Sequence, residues 1–197
     1  MAGGRAGDEG DTASRILDSA ESLVQIRGFN GFSYADVAGE LSLTTASLHY
    51  HFPGKAELGR ALITRYAQRF TAALAVIDER GGDAPAKLRA YARLYADVLR
   101  DQRMCLCGML AAEYQTLPAP MREAVIGFFD ENETWVEAVL AAGRDDGSLA
   151  FEGSPREAAR LIVSALEGAM LVARPYGGVE RFEAAAERLL AGFAETP

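Results

Sequence analysis

The residues best equipped for chemistry lie together between Ser33 and Leu58, in the stretch SYADVAGELSLTTASLHYHFPGKAEL. Thr44, Ser47 and Tyr50 offer hydroxyls, His51 a ring nitrogen, and Lys55 a positive charge near a helix start. These groups suit phosphate oxygens, and backbone amides at Ser33 and Lys55 would add to them because helix N-termini favour anions. Contacts of that kind place a protein on a duplex without reading its sequence. Covalent chemistry has no comparable constellation. The only two histidines, His49 and His51, both fall in this stretch. No P-loop, dinucleotide-binding glycine pattern, nucleophile elbow or metal motif occurs. The chain reads as a non-enzyme with no cofactor and no metal.

The elements that must hold these groups are two short helices joined by a tight polar turn. Ser33-Tyr34-Ala35-Asp36 is a capping-box pattern that opens the first helix. Val37, Ala38 and Leu41 recur at helical spacing, Ser42 and Leu43 make the turn, and Thr44 caps a second helix over about residues 45–51. Leu48 must point inward to join Val37, Leu41 and Leu43. At about 100° per residue, Ala46, His49 and Tyr50 then face outward, with Thr45 at the edge. This is the layout of a helix-turn-helix that reads base edges in a major groove. The same spacing also suits a plain amphipathic helix pair whose histidines lie on the surface.

The stretch resembles the amino-terminal domain of the tetracycline-repressor (TetR/AcrR) family of bacterial regulators. The resemblance runs from about Thr12 to Leu62. It is carried by Ile16-Leu17-Asp18-Ser19-Ala20, Gly28-Phe29, Val37-Ala38, Leu43-Thr44, Ser47-Leu48, Tyr50-His51-Phe52, Lys55 and Glu57-Leu58. It implies that Thr45, Ala46 and His49 contact bases. It also implies that Ser33, Thr44, Ser47, Tyr50, His51 and Lys55 contact phosphates. The sequence departs from the family pattern at Ser42 and Ala46, where glycine is frequent, and at His49, where tyrosine is common. Those departures leave the fold intact and the operator sequence open.

Charge sets a further bound. From Thr12 to Arg60 the basic residues are Arg15, Arg27, Lys55 and Arg60, against Asp18, Glu21, Asp36, Glu40 and Glu57. The whole chain carries a formal net charge of −8. Non-specific DNA affinity follows the number of phosphates neutralised, so it should be weak here. The acidity argues against a DNA-coating protein and against a membrane-surface binder.

With 197 residues, 49% of them hydrophobic, the chain can bury a sizeable core. No apolar run approaches the roughly 20 residues that span a bilayer, and the glycine-rich, acidic residues 1–11 lack the order of a secretion signal. The expected organisation is a disordered arm (1–11), a three-helix helix-turn-helix domain (12–55) and a larger helical effector-binding and dimerisation domain (56–197), all α-helical and cytoplasmic. Helix punctuation supports it. Gly81-Gly82 ends a long helix, Asp83 with Pro85 opens the next, and a shorter one spans about Met104 to Thr116. Pro120 opens another, and Ser154-Pro155-Arg156-Glu157 is a second capping box with proline at the first helical position.

The last two helices carry more apolar surface than one stripe. Leu161, Ala165, Gly168, Ala169, Phe182, Ala186, Leu189, Leu190 and Phe193 are expected to form the interface of a homodimer, the family's arrangement by resemblance. A two-fold dimer suits a palindromic double-stranded site. A small apolar or amphipathic effector would sit among the middle helices. Its candidate contacts are Tyr66, Phe70, Tyr91, Tyr95, Met104, Met109, Phe128, Trp135 and Met170, with Glu113, Gln115, Asn132 and Glu167 as polar groups. Glu113 and Glu167 stand out because each interrupts an apolar run and, if buried, needs a partner. Cys105 and Cys107 supply too few ligands for zinc and read as inert buried thiols, with a reactive thiol sensor as the alternative. The expected function is a regulator, a repressor released from its operator by ligand. The competing reading is a helical small-molecule or protein-binding module without operator binding.

Overall fold

The computed structural model describes residues 5–193 and is built from α-helices without strands among them. In order they are α1 (Arg5–Arg27), α2 (Tyr34–Leu41), α3 (Thr45–His51), α4 (Lys55–Arg80), α5 (Ala84–Arg100), α6 (Leu106–Ala112), α7 (Ala119–Asp145), α8 (Pro155–Ala173) and α9 (Glu180–Ala191). Short 3-10 turns follow α6 at Tyr114–Thr116 and α8 at Arg174–Tyr176. Most boundaries fall where the sequence punctuates. Asp83 accepts the Ala86 amide at 2.8 Å to open α5, and Ser154 with Glu157 forms a capping box at α8, with Pro155 first in the helix.

Two boundaries differ from expectation. α1 begins at Arg5, so residues 5–11 are helical where an unstructured arm is expected; residues 1–4 lie outside the described part. The Met104–Thr116 helix is instead a two-turn α6 that gives way to a 3-10 turn.

The chain divides into two compact units. The first comprises the residues up to Tyr66 together with Leu106–Val125, and the second Ala67–Cys105 with Ile126 onward. The divisions therefore fall inside α4 and α7 rather than at residues 55/56. In the first unit Ile16, Val24, Phe29, Val37, Leu48, Leu58 and Leu62 are buried together with Leu106, Leu110 and Met121, and α6 packs on α1. Arg65 of α4 bridges Asp18 at 2.9 Å and the buried Glu21 at 3.0 Å of α1. In the second unit α8 packs on α9 and α5 on both. Its core is aromatic: Tyr91, Tyr95, Phe128 and Phe182 are each at most 2% exposed.

Candidate functional site

Leu48 is fully buried, and this single anchor sets the rotation of α3. Thr44, Thr45, Ala46, His49 and Tyr50 are exposed, while Ser47 and His51 are half-buried. Thr44 caps α3 by accepting the Ser47 amide at 3.1 Å and keeps its own hydroxyl proton to donate. Leu43, expected as a buried plug in the turn, is half-buried. Ser42 closes α2 in the left-handed region, with φ 55° and ψ 38°. That conformation favours glycine, which explains why glycine suits this position.

His49 is fixed by two contacts. Its ring lies 4.7 Å from that of Tyr34, and Nδ1 sits 3.1 Å from the Pro53 carbonyl oxygen. A carbonyl only accepts, so Nδ1 carries the proton, and in the neutral ring the lone pair is on Nε2. Tyr34 in turn donates its hydroxyl to the Phe52 carbonyl at 2.9 Å. Burial, then the charge of Glu57, pushes that phenol up to about 12.

Two of the expected phosphate contacts are engaged elsewhere. Asp36 accepts the Ser33 amide at 2.7 Å and the Ser33 hydroxyl at 2.5 Å, so neither donor points outward. Lys55 turns its ammonium inward, donating to the carbonyls of Phe29 and Phe32. It lies 4.7 Å and 4.2 Å from the centroids of those two rings. Burial lowers its pKa, and the charges of Glu113 and Asp36 oppose that shift. A cation over aromatic faces with main-chain acceptors is held for structure, not presented to a phosphate.

Glu113, expected as a polar effector contact, is engaged within the first unit. Its carboxylate accepts the amide of Phe29 at 2.5 Å and of Asn30 at 3.2 Å, and also the Asn30 side-chain amide at 3.2 Å. In this arrangement it braces the loop after α1. Gly28 at that loop has φ 83°, and a Cβ there would lie 2.9 Å from the Glu113 carboxylate. Sequence reasoning missed the brace because its partners are 84 positions away. Tyr66 and Met109 also belong to this first unit.

The remaining effector candidates gather in the second unit. Phe70 meets Tyr91, Tyr95 and Phe128 edge-on at 6.1, 5.9 and 5.3 Å. Trp135 stacks on Tyr91 at 5.6 Å and donates its indole N–H to Asp78 at 2.8 Å. Tyr91 donates to Asn132 Oδ1 at 3.1 Å and lies 3.0 Å from the Tyr95 hydroxyl. Asn132 donates its amide to the Phe128 carbonyl at 2.8 Å. Tyr91 has one proton, and it goes to Asn132. Tyr95 must therefore donate to Tyr91. Met170 is fully buried and its sulfur accepts the Cys105 amide at 3.4 Å. Glu167 is half-buried as a residue, but its Oε1 is enclosed with no hydrogen-bond partner, and burial pushes its pKa up to about 7. Both cysteines are buried, and neither is in a disulfide.

A separate open cleft of about 460 Å³ lies between α5 and α9, floored by Leu88, Ala92, Phe182 and Ala186 and edged by Arg89 and Glu187. Among the expected interface residues, Phe182, Ala186 and Phe193 are at most 7% exposed. They fill their own subunit's core, since helical spacing alone cannot say which neighbour covers an apolar stripe. Leu161 and Gly168 are exposed, Ala165, Ala169, Leu189 and Leu190 half-buried, and Leu171 and Val172 extend the exposed apolar face of α8.

Comparison with known proteins places these features. Residues 16–62 match the family described as bacterial regulatory proteins, tetR family, and residues 84–189 the tetracyclin repressor-like C-terminal domain. The HTH-type transcriptional regulator LmrA of Bacillus subtilis is 26% identical over 167 residues, covering 83% of this chain and 86% of LmrA. The HTH-type transcriptional repressor NemR of Escherichia coli is 27% identical over 177 residues, 84% of this chain and 85% of NemR. The crystal structure of a TetR-family transcriptional regulator from Agrobacterium tumefaciens superposes with a TM-score of 0.92 at 32% identity, covering 95% of this chain and 100% of that one.

Proposed function

The chain belongs to the tetracycline-repressor family of DNA-binding transcriptional regulators, and from that premise we propose that it is a cytoplasmic homodimeric repressor released from a palindromic operator by a small organic effector. The observation that carries the DNA half is the rotation of α3. One fully buried leucine leaves Thr45, Ala46, His49 and Tyr50 in a single exposed row, suited to base edges in a major groove. Thr44, Ser47 and His51 flank that row as phosphate contacts, and Tyr50 at its end is a phosphate contact as well.

In this reading the effector sits in the aromatic cluster of the second unit, at Phe70, Tyr91, Tyr95, Asn132 and Trp135. The exposed face of α8, from Leu161 through Ala165 and Gly168 to Val172, supports pairing with a second copy, because small residues let helices approach closely. An effector releases DNA only if it binds the two states of the dimer unequally.

The test is fluorescence anisotropy of the purified protein on DNA from upstream of its own gene, followed by random-sequence selection if that DNA is not bound. His49→Ala should weaken binding to the selected site by about tenfold or more, the worth of a good base contact. A selection that enriches no duplex, or a His49→Ala and Tyr50→Ala protein that binds as tightly as the parent, would overturn the assignment.

A further inference from the structure

The second unit contains a carboxylate with no counter-charge among the described residues. Glu167 lies on α8 between the buried Leu166 and Met170. Its Oε1 is buried without a hydrogen-bond partner, and its one side-chain donor is the Cys105 thiol, a weak one. The two nearby hydroxyls do not help it. Tyr95 donates to Tyr91 and Tyr91 to Asn132, so the protons of the whole chain run toward α7 and away from Glu167. Its charge is nonetheless close enough to raise the pKa of both tyrosines.

Among the described residues, no basic group is paired with Glu167. The groups whose charges bear on Tyr91, Tyr95 and Glu167 are one another, Cys105 and Glu133. Glu133 is met by Arg160 at 3.4 Å, whereas Glu167 has no such partner. The two tyrosines on which its charge acts belong to a continuous run of rings, Tyr95 to Tyr91 to Trp135, with Phe70 edge-on to both tyrosines. Aromatic faces present negative potential, and with a carboxylate beside them they favour a positive guest. A buried unpaired carboxylate is costly, so the free protein keeps it partly protonated.

We propose that Glu167 is the recognition point for an effector bearing an alkylammonium group, with its ammonium against the carboxylate and its apolar part among Tyr91, Tyr95, Phe70 and Trp135. This rests on the aromatic cluster being the effector site. An ammonium replaces the missing counter-charge and lets Glu167 ionise on binding, with release of a proton to solvent. Neutral and anionic molecules of the same shape gain neither effect. The site therefore selects by charge as well as by shape.

Trp135 is the only tryptophan in the chain and stacks on Tyr91, so its emission reports directly on this site. The probes are phenethyltrimethylammonium and its neutral carbon isostere, (3,3-dimethylbutyl)benzene, titrated into the full-length protein. The expected result is at least about tenfold tighter binding of the cation, reduced to near equality in Glu167→Gln. Because the comparison is between two probes on the unaltered protein, it does not depend on how the variant folds. Equal affinity for both probes, or a preference that survives in Glu167→Gln, would overturn the inference and leave the aromatic effector site standing. No change in Trp135 emission with either probe at millimolar concentration would sink both.

Discussion

Glu113 holds Phe29 through the main chain: its carboxylate accepts the Phe29 amide at 2.5 Å and reaches the neighbouring Asn30 amide as well. The loop so braced also supplies the Phe29 and Phe32 carbonyls that anchor Lys55. A carboxylate, two amides and an ammonium thus fix the path of the chain from α1 into the reader helices.

Replacing Glu113 by Gln keeps the shape and removes the charge. The variant should lose about 1–3 kcal/mol of stability, the worth of charge-assisted hydrogen bonds. Urea unfolding followed by circular dichroism checks this, and a midpoint equal to that of the parent would contradict the brace.

Lys55→Met separates a strut from a phosphate contact. With the ammonium turned inward, the variant should be less stable, while the slope of log K against log salt for operator binding stays unchanged. A phosphate contact would instead reduce that slope by about one per subunit. Anisotropy at several salt concentrations distinguishes the two.

Ser42→Gly should stabilise the protein. A serine in the left-handed region carries a steric cost of about 1 kcal/mol that glycine avoids, partly offset by the greater freedom of glycine when unfolded. The residue is exposed, so no packing is lost. A thermal midpoint that falls instead of rising would show that the side chain has a role the backbone geometry does not reveal.

Glu167 gives stability a pH dependence of definite sign. Its pKa rises from an ordinary 4.5 to about 7 in the folded chain. Between those values the folded state binds the proton that the unfolded state has released. This contribution is therefore complete below about pH 4.5, declines as pH rises toward 7, and is lost above it. The full span is on the order of 3 kcal/mol. Asp36, Asp78 and Glu157, whose pKa values are lowered, act in the opposite direction. The diagnostic quantity is accordingly the difference between parent and Glu167→Gln, which should change between pH 5 and 7 by roughly that amount. A difference that is flat across this range would mean that the carboxyl is not buried.

What the sequence revealed was local. Leu48 at helical spacing from the polar residues of α3, Thr44 as its cap, Asp83 with Pro85, and the Ser154–Glu157 box each involve residues within one or two turns of each other. Contacts between distant segments were not legible. Lys55 meets carbonyls 26 and 23 positions earlier, and Glu113 an amide 84 positions earlier. Nothing in residue type separates a lysine that faces DNA from one that faces Phe32. The same limit applies to Phe182 and Phe193, whose spacing announces an apolar face without saying which neighbour covers it. Glu167 lies between these cases. Its interruption of an apolar run marked it, but only the directions of the Tyr91 and Tyr95 protons show that it is left unanswered.

The inward turn of Lys55 bears on how such a regulator finds its target. If the chain acts as the dimeric regulator proposed above, one cation fewer faces the duplex, and its hold on arbitrary DNA would be weak. Its search would then consist of brief independent encounters, with few molecules trapped on decoy sequences. Promoter occupancy would track the number of free dimers and respond less to shifts in ionic composition.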